Sequence, residues 1–165
     1  MILAHYPAGY ITAQLLFPRF KKTNISYKTF LVWSLLGAVA PDFDIFYFYF
    51  IDHSQHHHHK YFSHFPIVWF LLLGLSLFWY KFSKKNAKPA LALIFSLGGC
   101  VHMILDSLVG DIWWGAPFID KPFSIATVPV LYHPWWVNFF LHWSFGFEIF
   151  LFIWSVYLWW KPKSH

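Results

Sequence analysis

Residues 89–109 read PALALIFSLGGCVHMILDSLV, a run in which only His102 and Asp106 can carry charge near neutral pH. At about 1.5 Å per residue, a helix of this length covers the roughly 30 Å hydrocarbon core of a bilayer. Four more apolar stretches flank it, at 2–18, 29–51, 66–80 and 137–160. The first is interrupted by Pro7 and Gly9, and the third is short, running from Pro66 to Lys81. Inside hydrocarbon every backbone N–H and C=O must be paired within its own segment, which selects helices. The expected fold is all-α: a polytopic membrane helical bundle of about five helices, forming one domain over residues 1–165.

Composition supports lipid as the solvent. Hydrophobic residues are 58% of the chain, aromatics 25% and charged residues 12%, whereas soluble domains run at roughly 45–50% apolar and about 25% charged. A soluble 165-residue chain would leave much of that surface as exposed, aggregation-prone patches. Trp113-Trp114, Trp135-Trp136 and Trp159-Trp160 stand at segment ends, where amphipathic rings settle among headgroups.

The cations set an orientation. Arg19, Lys21, Lys22 and Lys28 follow the first segment, Lys81, Lys84, Lys85 and Lys88 follow the third, and Lys161 and Lys163 follow the fifth. Five crossings place all ten on one side and leave Lys60 and Lys121 opposite, so the positive-inside rule predicts an N-out, C-in chain. The net charge of +5 does not indicate nucleic acid, because these residues occupy short loops and form no single stripe. Cys100 is alone, which excludes a disulfide framework. No cleavable signal peptide is expected, since the first basic residue is Arg19.

Ionisable groups inside a membrane are costly and normally face a bundle interior with a task there. Counted from the nearest inner cation, His5 is 14 residues from Arg19, Asp42 is 14 from Lys28, His102 is 14 from Lys88 and Glu148 is 13 from Lys161. All four then lie roughly 20 Å above the inner boundary, in the outer leaflet. His102 and Asp106 are spaced i, i+4 and share one helix face. Imidazole plus carboxylate is a common ligand set for zinc and related divalent ions, although the same spacing also serves a plain hydrogen bond. Pro41-Asp42-Phe43-Asp44 sets two carboxylates beside a helix-breaking proline, and a break lets both turn toward one centre.

The loop from Asp52 to His64 is rich in histidine. His53 and His56 to His58 read as a tract that collects metal adventitiously, whereas His59, Lys60, Ser63 and His64 sit close enough to the third segment to fold over the site. His142 reads as an interfacial anchor and Glu148 as a buried carboxylate, and both form a second tier of candidates.

These motifs resemble the YdjM-like family of bacterial inner-membrane metal-dependent hydrolases. The family pattern is an early His followed by Gly, then Pro-Asp-x-Asp, then His-Arg-x-x-Thr-His-Ser, then His-x-x-x-Asp with a downstream Gly and Pro. Here it reads His5 to Gly9, Pro41-Asp42-Phe43-Asp44, His59-Lys60-Tyr61-Phe62-Ser63-His64-Phe65 and His102 to Asp106, followed by Gly110 or Gly115 and Pro117. Lys60 replaces the arginine, Ser63 the threonine and Phe65 the serine. The family is in turn distantly similar to zinc-dependent phospholipase C and P1 nuclease.

The resemblance implies a hydrolase with one to three divalent metal ions, most plausibly zinc, held by His5, Asp42, Asp44, His59, His64, His102 and Asp106. Such ions acidify water and polarise the scissile group. Asp44, Lys60 and Asp106 are the expected catalytic residues, Asp44 as general base and Lys60 attracting an anion. The expected substrate is a membrane lipid or lipid-linked phosphate ester at the periplasmic face of the inner membrane. The alternative is a non-enzymatic metal-binding membrane protein, a structural site or a divalent-ion carrier. A haem or quinone protein has only the abundance of His and aromatics behind it.

Overall fold

Local chemistry in the sequence fixes where the helices begin and stop. Ser26 is extended and its side chain accepts from Thr29 N–H at 3.1 Å, satisfying a donor that a helix start leaves unpaired. Pro66 opens another helix at a position where its missing N–H costs nothing. The computed structural model describes residues 1, 3–83, 86–134 and 136–161. Lys84, Lys85, Trp135 and Lys163, part of the charge and aromatic pattern, lie outside the described residues.

Among the described residues there are seven α-helices and no strand, only an isolated antiparallel bridge between Ile112 and Phe123. They are α1 (His5–Phe20), α2 (Tyr27–Val39), α3 (Asp44–Phe50), α4 (Pro66–Phe82), α5 (Ala87–Asp106), α6 (Trp136–Leu141) and α7 (Trp143–Trp160). The expectation of about five helices is corrected here, because two apolar stretches are each broken in two. In the second, Pro41 has no N–H to continue the ladder, the chain tightens into a 3-10 turn over Pro41–Phe43, and α2 and α3 diverge by 58°. In the fifth, His142 is extended, and its Nδ1 accepts from Ser144 N–H at 3.4 Å to start α7. Among the described residues two helices, α5 and α7, are long and apolar enough to cross a membrane, and the bent α2–α3 pair makes a third if taken as one span. At 16 and 17 residues, α1 and α4 fall just short.

The α5 helix is the centre of the fold, packed by α2 on one side and α4 on the other, while α1 bridges α2 and α7. Small residues let α2 and α5 touch backbone to backbone. A Cβ on Gly37 would overlap the Phe95 carbonyl, and one on Gly98 would lie 2.7 Å from Ala38 N. Phe17, Phe20, Phe30 and Ile94 fill the end of the bundle bearing Arg19 and Lys28. The close α2–α5 crossing brings Ala38, one turn before the Pro41 break, against the His102 turn of α5.

Candidate metal centre

Where α2 breaks, the last turns of α5 meet two successive 3-10 turns, His58–Lys60 and Phe62–His64. Two groups of donor atoms converge there, each with all its atoms within 4.8 Å of one another: Asp42, His64, His102 and Asp106, and His58, His59 and His64. His64, His102 and Asp106 are almost completely buried, while 30% of the Asp42 side chain remains exposed.

Hydrogen bonds aim the imidazoles. His102 Nδ1 donates to the Ala38 carbonyl at 2.8 Å and His59 Nδ1 to the Asp111 carbonyl at 2.9 Å. A carbonyl only accepts, so each ring carries its proton on Nδ1 and turns the Nε2 lone pair inward. His64 Nδ1 lies 2.5 Å from Asp44 Oδ2, which also accepts from Ser63 Oγ at 2.6 Å. This is the outer-shell carboxylate–histidine arrangement that fixes a ligating ring.

The inward atoms are short of partners. His64 Nε2 and His102 Nε2 are buried without a hydrogen bond. His102 Nε2 lies 2.9 Å from Asp106 Oδ2, but the approach lacks hydrogen-bond directionality. The other separations are 3.5 Å from His102 Nε2 to Asp42 Oδ1, and 3.6 and 3.8 Å from His64 Nε2 to Asp42 Oδ1 and Asp106 Oδ2. Donors about 2.1 Å from a tetrahedral ion stand about 3.4 Å apart. Two unpartnered imidazole nitrogens and two carboxylates at these spacings fit a divalent cation.

Several candidates have other duties. His5 is buried, but its Nε2 faces the Met1 carbonyl at 3.2 Å and Asp106 Oδ1 at 3.1 Å. Its ring stacks on His102 at 3.8 Å, and it stands outside both donor groups. It steadies Asp106, whose Oδ1 also lies 2.5 Å from the Met1 amino group. Asp44 uses Oδ2 on His64 and Ser63, which makes it a positioning residue for that ring, while its Oδ1 is buried without a hydrogen bond. Glu148 is buried and accepts from Leu3 N–H at 2.5 Å, anchoring the start of α1. His142 caps α7, and Lys60 pairs with Asp120 at 3.0 Å and lies 5.0 Å over the Trp113 ring. Glu148 and His142 also stand outside both groups.

His58, assigned above to the adventitious tract, belongs to the second group. Its ring centroid is 4.0 Å from that of His59. Adjacency to His59 and His64 was the available signal, but only the 3-10 turn shows which tract histidines turn inward. His56 turns away, to Asp52 at 2.6 Å. Gly110 gives the His59 ring its seat, since a Cβ there would lie 3.1 Å from His59 Cε1.

Electrostatics separates the loop histidines. Burial pushes His59 down to about 3, so it is neutral and free to ligate at neutral pH. Burial also lowers His64, but Asp42 and Asp44 outweigh it and hold the ring up at about 9.

Helices apolar enough for a bilayer, closing around a buried His/Asp donor set, define a helical membrane protein with a candidate metal centre. The family model of the YdjM inner membrane protein matches residues 1–164, and the chain belongs to that family. No curated protein and no solved structure matches it.

Proposed function

We propose that the protein is a membrane-embedded, metal-dependent hydrolase acting on a lipid or lipid-linked phosphate ester at the periplasmic face of the inner membrane. The observation that carries this reading is the pair of unpartnered nitrogens, His64 Nε2 and His102 Nε2, converging with Asp42 and Asp106. When bound there, a divalent ion supplies Lewis-acid chemistry, acidifying water and polarising a phosphoryl oxygen. The chain's own residues do the rest. Ala38, Asp111 and Asp44 orient His102, His59 and His64, and Met1 and His5 hold Asp106.

Access favours catalysis over a closed structural site, which would be fully coordinated by protein. A cavity of about 400 Å³ is lined by Asp42, Asp106, His58 and His59, so the donors border open space. A second cavity of about 830 Å³ has Phe43, Tyr47, Tyr61 and Phe62 in its walls, with Asp44 and Lys60 among its polar groups. Aromatic walls beside a cation suit a substrate with an apolar chain and an anionic head. The basic residues support five crossings with the N-terminus outside, counting the bent α2–α3 pair and the broken α6–α7 pair as one each. A carrier is disfavoured, because Phe17, Phe20, Phe30 and Ile94 pack the opposite end of the bundle.

The test is to incubate metal-replete protein with mixed phospholipids and isoprenoid phosphates and to follow products by mass spectrometry, with Asp106→Asn as the blank. Products made by the wild type alone are expected. No difference across the panel, with metal bound in the wild type, would favour a structural site. Products from soluble esters only would keep the hydrolase and reject the lipid.

A further inference from the structure

The donor set is larger than one ion needs. Asp42, His58, His59, His64, His102 and Asp106 are six residues in two overlapping groups, whereas a catalytic zinc typically takes three protein ligands and keeps one position open. One imidazole lone pair serves one ion, so His64, common to both groups, can be used only once. A carboxylate is different, because a single one of its oxygens carries more than one lone pair and can serve two ions at once. Asp106 is placed for that. Its Oδ2 is 2.9 Å from His102 Nε2, 3.7 Å from His59 Nε2 and 3.8 Å from His64 Nε2. His58 Nδ1 and Asp44 Oδ1 are both buried without a hydrogen bond, 3.8 Å apart.

We infer that the centre holds two divalent cations. One is taken by Asp42, His102 and Asp106, and the other by His58, His59 and His64, with Asp106 bridging the pair. The inference rests on the metal-dependent reading above and adds to it the number of ions and the ligand role of His58. A pair of cations doubles the positive charge facing an anionic phosphate ester, and the cavity bounded by Asp42, Asp106, His58 and His59 is where such a group would meet both.

The experiment counts ions on the full chain in detergent, loaded with Zn(II), freed of excess and analysed by mass spectrometry for zinc per chain. Two equivalents are expected in the wild type, one in His58→Ala, two in His56→Ala and less than one in Asp106→Asn. One equivalent in the wild type would overturn the second ion while leaving a single-metal hydrolase standing. None would remove the metal-dependent reading as well. Two retained by His58→Ala would overturn the ligand assignment, and a loss in His56→Ala equal to that in His58→Ala would assign the extra ion to the histidine tract. If His58→Ala does not fold, Mn(II)-loaded wild type decides by electron paramagnetic resonance. A spin-coupled spectrum supports the pair, and an isolated six-line spectrum rejects it.

Discussion

His64 stands between two carboxylates, with Nδ1 2.5 Å from Asp44 Oδ2 and Nε2 3.6 Å from Asp42 Oδ1. The short contact holds the ring and the long one leaves room for an ion. Asp44→Asn keeps the shape but replaces a charged acceptor with a neutral one. Loss of such an outer-shell carboxylate typically costs 10–100-fold in metal affinity. A drop in that range is expected in a chelator competition titration, with little change in helix content. An unchanged affinity would mean that His64 needs no orientation from Asp44.

Metal affinity and the stability of the empty protein should respond to pH in opposite senses. His64 is raised from 6.5 to about 9, so its proton-linked contribution to the empty protein is complete below pH 6.5 and is lost as pH rises through 9. The metal must displace that proton, so apparent affinity should rise by up to about tenfold per pH unit over the same window. Thermal unfolding of metal-free protein and Zn(II) titration at pH 6.5, 7.5 and 8.5 check both trends. Parallel trends would show that His64 is not the proton's site.

His102→Ala and Asp106→Asn should each lose metal and thermal stability together, because an ion bound only by the folded state stabilises it, by about 2.7 kcal/mol at a hundred times its dissociation constant. His56→Ala, whose ring pairs with Asp52 at the surface, should change neither. Chelator treatment of the wild type should reproduce the melting temperature of the two site variants.

The α2–α5 contact predicts a purely structural lesion. Gly37→Ala puts a methyl group into the Phe95 carbonyl, and overpacking of this kind costs about 1–3 kcal/mol. A lower melting point is expected. Because the same contact seats Ala38 beside His102, weaker metal binding should accompany it, which a Gly74→Ala control, with open space around its Cβ position, should not show.

Orientation is tested by single cysteines in a Cys100→Ala background. Asp120→Cys should react with a membrane-impermeant maleimide from outside, and Lys84→Cys only after the membrane is opened. Equal labelling of both in sealed cells would reverse the N-out, C-in assignment.

Apolar length was enough to show an all-helical fold, because bilayer thickness and backbone pairing constrain it directly. The breaks were harder to read. Pro41 is legible because it lacks an N–H, but His142 looks like any interfacial histidine until its side chain is seen capping Ser144. For the site, counting residues gives height along a helix and not rotation about it. That count places Glu148 level with His5 and His102, yet its carboxylate meets Leu3 N–H. His102 and Asp106 were readable because i, i+4 spacing fixes a common face. His58 was not, because neighbours in a loop share no fixed face, and only the 3-10 turn carries it inward.

The bend at Pro41 also sets an order of events in time. The carbonyl that aims His102 belongs to Ala38, on a different helix, 64 residues earlier in the chain. His59 is aimed by Asp111, 52 residues later. Neither ring can be turned until α2, α5 and the loops that follow them have docked, so no stretch of the nascent chain carries a finished site on its own. An ion held by these rings would thus be the last component to arrive. Its retention would report that the helices have assembled correctly, and so would serve as a criterion for a mature molecule.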